Sequence, residues 1–194
     1  MKIDKETLTA LIDEATKFDD IKTSDIPYID LYMDQVTTIF EEKLSYLKRY
    51  PDEKILTKTM INNYAKDKII QPPIKKKYSH NHIILLNLIY NLKQSLAISD
   101  IKDLLSPLNE IMSSDKNSNE IDKLYNAYLS IKDKDLENCK KNFVEIFNDL
   151  DESTINSEKI TDEKLEILLL VLELINEANT RRRLAEKIVD KYFK

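Results

Sequence analysis

Residues Leu56 to Leu105 read LTKTMINNYAKDKIIQPPIKKKYSHNHIILLNLIYNLKQSLAISDIKDLL. Thr57 is a good N-cap, because its side-chain oxygen can accept an orphan amide of the first turn, and it predicts a short polar helix over Lys58–Lys66. Ile69-Ile70 then reads as a brief strand, Pro72-Pro73 as a turn and Lys76-Lys77-Tyr78 as a return strand. That turn lacks Gly and Asn, so a tight two-residue hairpin is not expected and a small irregular wing is. Ser79 caps a helix predicted from His80 to about Ser95. Its apolar residues, Ile83 to Leu86, Leu88, Ile89 and Leu92, nearly surround the axis, which predicts the buried spine of the region. A short helix, a wing and a packed helix form the order of a winged helix-turn-helix.

The same stretch runs against the charge of the chain. Lys54 to His82 holds seven lysines and one acid, a net +6, on a protein of net −5, so the remainder sums to −11. A basic island on an acidic protein suits a polyanion. It also suits a plainly solvated lysine face, and charge alone does not separate the two.

Outward from this stretch the pattern is helical throughout. Ile3, Leu8, Leu11, Ile12, Ala15 and Phe18 predict an amphipathic helix over residues 1–22. A second helix is expected from Asp30 to Arg49, with Tyr32, Val36, Ile39, Phe40, Leu44 and Leu47 inward and Pro51 after its end. Ser99 starts another, with Ile101, Leu104 and Leu105 inward and Pro107 as an interruption. The polar run Ser113 to Asn119 is the best linker. Beyond it three helices are expected, at about 120–132, 136–150 and from Thr161 to the end. Cys139 falls on an apolar face and reads as a core residue.

Composition removes whole classes of chemistry. Glycine is absent from all 194 residues, so no Walker loop, dinucleotide-binding turn or nucleophile elbow exists. The single cysteine, Cys139, forbids an internal disulfide and has no base at a useful spacing. His80 and His82 form an HxH pair, but at a helix start positions i and i+2 diverge, and no cysteine or carboxylate completes a metal set. No metal, cofactor or enzymatic activity is expected. The longest apolar run, Ile167 to Leu172, is far short of a membrane span, and no segment resembles a signal peptide, so a cytoplasmic protein is expected. The Lys, Ile and Asn bias suits an AT-rich bacterial genome.

Two resemblances refine this picture. The details of the central segment look like the MerR family of transcription regulators. Asn62-Asn63-Tyr64-Ala65 stands where that family has its Arg-Tyr-Tyr-Glu recognition helix. Lys68-Ile69-Ile70 stands at the Gly-Leu-Leu turn, Pro72 at the wing proline, and Ser95 to Ile101 at the Gly-Phe-Ser-Leu-x-x-Ile segment. The recognition arginine is replaced by Asn62, the turn glycine by Lys68, and the Tyr-Arg pair after the wing becomes Tyr78-Ser79. A broader resemblance, carried by IDLYMDQVTTIFE and by the strings from Leu56 to Leu105, is to the bacterial domain-of-unknown-function family 1836. It runs from about Ile29 to the C-terminal helices and implies a helical protein with a DNA-binding region.

The expected fold is therefore mostly α. A MerR-like winged helix-turn-helix with a minimal β wing spans residues 24–108. An N-terminal helix (1–23) precedes it, and a C-terminal helical dimerisation or partner domain (109–194) follows. The expected function is transcription regulation by binding double-stranded DNA, as a homodimer. Thr57, Lys58, Thr59, Asn62, Asn63, Tyr64 and Lys66 are the candidates on the recognition helix, and Lys75, Lys76, Lys77 and Tyr78 on the wing. Asparagine matches the edge of adenine, and the lysines and tyrosines suit phosphate. The competing reading is a non-catalytic helical interaction module that does not bind DNA. Arg181-Arg182-Arg183 is explained by ion pairs with Glu177 and Glu186. No feature identifies a small-molecule effector.

Overall fold

The structure is a computed structural model that describes residues 5–114, 119–152 and 162–194. Ile3, Thr161 and the middle of the expected linker lie outside the described residues. The protein is mostly helical, with one two-stranded antiparallel sheet. It divides into two compact units, residues 19–129 with 185–194, and residues 1–18 with 130–184. The expected domains drew their boundaries at other places, 23/24 and 108/109.

The first unit holds the main core. Helix α2 (Met33–Leu44) buries Val36, Phe40 and Leu44 at i, i+4 and i+8, one stripe of a helix. It is shorter than the Asp30–Arg49 expected, because Ser45–Leu47 tightens into a 3-10 turn. Tyr32, expected inward, is exposed. Helix α3 (Lys58–Lys66) has the expected bounds, and the Thr57 hydroxyl accepts the Met60 amide at 3.1 Å. Helix α4 (His80–Leu92) is the spine, buried from His82 to Asn87 and again at Ile89 and Tyr90. Helices α5 (Ile98–Leu104) and α6 (Ser106–Ser113) follow, with Pro107 in the first turn of α6, where its missing N–H has no intrahelical partner to lose.

A buried polar chain ties three segments of this unit together. The Asn87 amide donates to the Tyr125 hydroxyl, which in turn donates to the Ile21 carbonyl. Asn87 and Tyr125 are both fully buried, and burial pushes the Tyr125 phenol well above its ordinary value. Satisfied networks of this kind specify one arrangement, since any other leaves buried polar groups without partners.

The second unit is built from α1 (Lys5–Ala15) and from parts of α7 (Asn119–Glu152) and α8 (Glu163–Tyr192). Its buried cluster is Leu8, Ile12 and Leu170, with Phe143, Val144, Ile146 and Leu174 packed on it. Cys139 is half-buried. Arg181 bonds Glu177 at 2.7 Å, one turn back. The two helices expected at 120–132 and 136–150 are one helix of 34 residues. Asp133-Lys134-Asp135 breaks the apolar periodicity, but it contains no proline or glycine to stop the backbone.

Candidate nucleic-acid interface

Helix α3 presents one polar face. Thr59, Asn62, Asn63 and Lys66 are all exposed, while Ile61 and Tyr64 turn inward. The exposed set recurs at i, i+3, i+4 and i+7, which is a single helical stripe. The helix ends in a Schellman arrangement. The Ile69 amide donates to the Tyr64 carbonyl at 2.8 Å and the Lys68 amide to that of Ala65 at 3.2 Å. That closure needs a left-handed residue, and Lys68 supplies it at φ 58°, where glycine is the usual choice.

The wing differs from expectation. Ile69 and Ile70 form no strand. Their amides both turn back to the Tyr64 carbonyl, and both side chains are buried. The return strand, β2 (Lys77–Tyr78), pairs instead with β1 (Leu31–Tyr32), Leu31 opposite Tyr78 and Tyr32 opposite Lys77. A further bridge joins Ile74 to Lys77. The turn falls at Lys75-Lys76 and not at Pro72-Pro73 as expected, and it is tight. Lys75 and Lys76 hold φ of 51° and 63°, and the Lys77 amide donates to the Ile74 carbonyl at 2.9 Å. Two successive positive φ values are what a type I′ hairpin turn requires, normally met by Asn-Gly. Among the described residues, all three non-glycine positive-φ positions are lysines of the basic island.

The candidate residues therefore divide. Thr59, Asn62, Asn63, Lys66, Lys75 and Lys76 are exposed and face solvent. Thr57 is half-buried, its hydroxyl oxygen engaged as the cap. Lys58 is ion-paired with Asp34, and the Lys77 ammonium sits 5.2 Å over the Tyr32 ring. Residues 32 and 34 lie at the start of α2, so that corner gathers Lys58 and Lys77. Lys66 stands at the other end of α3, roughly 12 Å along its axis. Tyr64 and Tyr78 are core residues at 7% and 1% exposure, and burial raises both phenols.

Three participants were not singled out in the sequence. Lys68 is exposed beside the end of α3. Tyr32 and Ile74 are exposed at 55% and 74%. Antiparallel partners point to the same side of a sheet, so Tyr32, Lys77 and Ile74 form one row across the outer face of the wing. The strand pairing that aligns them links residues 45 positions apart, which no local pattern announces.

The histidines point to separate partners. His80 Nε2 meets Asp122 at 2.9 Å and its ring stacks on Tyr28 at 4.5 Å. His82 Nδ1 accepts the Ser79 amide at 3.1 Å, so Nε2 carries the proton and donates to the Gln71 carbonyl at 3.1 Å. Burial holds His82 below the ordinary histidine value. Among the described residues no group of three side chains is placed to hold a metal ion, and no helix is long and apolar enough to cross a membrane.

A match to the family described as Domain of unknown function (DUF1836) covers residues 21–128. The chain belongs to this family. The DUF1836 region contains α2, α3, the wing and α4 to α6 whole, so the interface described above lies entirely within it. The chain matches no curated protein and no solved structure.

Proposed function

We propose that the protein is a non-catalytic, DNA-binding regulator in which residues 24–108 act as a MerR-like winged helix-turn-helix. Helix α3 lies in the major groove, and the wing grips the backbone. The observation that carries this reading is the backbone of the basic island. Left-handed φ costs a non-glycine residue roughly 1–2 kcal/mol, and Lys68, Lys75 and Lys76 all bear it. Strain of this kind collects where a side chain has work to do. Lysines held at a turn tip are suited to phosphate. Lys68 also adopts the left-handed conformation of the glycine whose place it takes in the resemblance. On α3, Asn62 and Asn63 offer amides suited to adenine edges.

An apolar stripe suited to self-association supports the regulator reading. Leu165, Leu168, Leu172 and Ile175 of α8 are each about half exposed, and their 3-4-3 spacing is that of a coiled-coil seam. A homodimer would present two copies of α3 to two half-sites.

Two observations favour the alternative, an interaction module. The outer face of the wing carries Tyr32 and Ile74 beside its lysine, with Tyr28 and Ile29 also exposed. Residues 45–57, between α2 and α3, exceed the three- or four-residue turn of a compact helix-turn-helix.

Selection of duplex fragments from a random pool, at stated salt, tests the proposal. An A·T-rich preferred site is expected. Asn62→Ala and Asn63→Ala should each relax it at one or two positions, costing about 1–3 kcal/mol per lost contact, with non-specific affinity nearly intact. A parent protein without preference or affinity for duplex would leave the interaction module as the better reading.

A further inference from the structure

We propose that the unit of residues 19–129 and 185–194 contains a binding site for a small, uncharged, apolar molecule. The site goes beyond DNA binding and does not rest on it. It is a cavity of about 470 Å³, open to solvent on one side and lined by α4, α5, α6, the first turns of α7 and the residues that close α8. That volume is in the range of roughly 300–1,000 Å³ typical of small-molecule sites.

Helix α4 shows why the cavity is a feature of the fold. Its apolar residues from Ile83 to Leu86, with Ile89 and Tyr90, are buried, whereas Leu88 and Leu92 remain half-exposed. Those two stand one turn apart, and both line the cavity. Leu108 and Phe193 face them, and Leu124, exposed at 50%, stands at the opening. The end of α8 is held in place on this unit, since Lys194 bonds Asp100 at 2.8 Å.

The lining selects the ligand. Among the described residues it contains no Asp, Glu, Lys, Arg or His, so a charged group would lose its hydration without a partner. Water is a poor occupant of an apolar space of this kind. The polar side chains in the lining are Asn91 and Tyr128. The Asn91 amide nitrogen donates to the Asn87 carbonyl at 2.9 Å. A neutral apolar body meets these conditions.

The test is titration of the full chain with N-phenylnaphthylamine, a neutral aromatic amine whose fluorescence rises in apolar sites. Saturable binding of one probe per chain is expected, with displacement by decanol and displacement by decanoate weaker by about tenfold or more. Leu92→Trp fills the cavity and should weaken the probe by about tenfold or more, while Leu172→Gln, on the exposed stripe of α8, should leave it unchanged. Circular dichroism checks the fold. If Leu92→Trp loses helix, Leu124→Trp at the opening replaces it as the deciding variant. Unsaturable binding, full affinity in the folded filling variant, or loss in Leu172→Gln would overturn the site. Equal competition by decanoate would overturn its preference for uncharged ligands.

Discussion

The two units bury their apolar residues to very different degrees. The unit around α4 gathers 24 buried residues into one cluster. Among the described residues, the cluster of the unit around α1 has three, Leu8, Ile12 and Leu170. Yet the second is not short of apolar side chains. Leu11, Ile131, Leu165, Leu168, Val171, Leu172 and Ile175 belong to it and are all exposed. The same chain thus contains a closed core and an open one. Composition alone does not decide which region is self-sufficient; the arrangement of helices does. A region with several half-exposed leucines in register is ready for a second surface, whereas one with a central helix wrapped on nearly all sides leaves only a local opening, at Leu88 and Leu92.

The sharpest way to break this contrast is to damage the closed core. Leu85 is fully buried in α4, and Leu85→Ala should cost about 2–5 kcal/mol through lost transfer energy and the cavity left behind. Urea denaturation followed by circular dichroism reads this as a lower midpoint at unchanged slope. A loss below half a kilocalorie would mean that α4 is not the spine.

The open unit should respond in the opposite way. Leu168→Gln with Leu172→Gln removes apolar surface that the monomer leaves exposed, so folding stability at low protein concentration should change little. Self-association should weaken by about 100-fold, some 2.7 kcal/mol. Sedimentation at micromolar concentration measures it. A parent that is strictly monomeric would remove the homodimer from the proposal.

A finer contrast lies within the closed unit, between its helices and its wing. The helices use favourable backbone throughout, whereas the wing tip carries two lysines at positive φ. Lys75→Asn with Lys76→Gly should therefore stabilise the fold by about 1 kcal/mol. If the wing holds phosphate, the same variant should bind duplex more weakly, with the log-log salt slope lowered by nearly 2. More stable and weaker in binding is the signature of strain kept for function. Stabilisation with unchanged binding would reduce the lysines to a solvated turn.

These contrasts also explain what was legible in the sequence. The bounds of α3 and the start of α4 follow from Thr57, Ser79 and nearby periodicity, which are local signals. The single span of α7 was hidden because Asp133-Lys134-Asp135 interrupts the hydrophobic pattern without interrupting the backbone. Strand β2 was found, but its partner was not, since Leu31-Tyr32 lies far away in sequence. The turn was expected at Pro72-Pro73 and falls at Lys75-Lys76, because no glycine or asparagine marks that position. On the candidate surface, Thr59, Asn62, Asn63 and Lys66 were identifiable from helical spacing. Tyr64 and Tyr78 are amphipathic, and only tertiary packing decides which end of such a side chain is satisfied.

The smallest expected effect concerns His82, which is buried where the wing joins α4. Its neutral ring is used at both nitrogens, accepting the Ser79 amide and donating to the Gln71 carbonyl. Burial lowers its affinity for a proton in the folded state. The unfolded chain therefore binds more protons than the folded one once pH falls through the ordinary histidine value of about 6.5. Stability is complete above that pH and declines below it, until the folded-state value is reached, at about 1.4 kcal/mol for each unit by which burial has lowered it. His82→Gln should be less stable at neutral pH but should flatten the decline that sets in below about pH 6.5. Denaturant midpoints for the parent and the variant across that window measure the difference. If both decline in parallel, the acid sensitivity belongs to other groups, and the joint between wing and spine does not depend on a neutral imidazole.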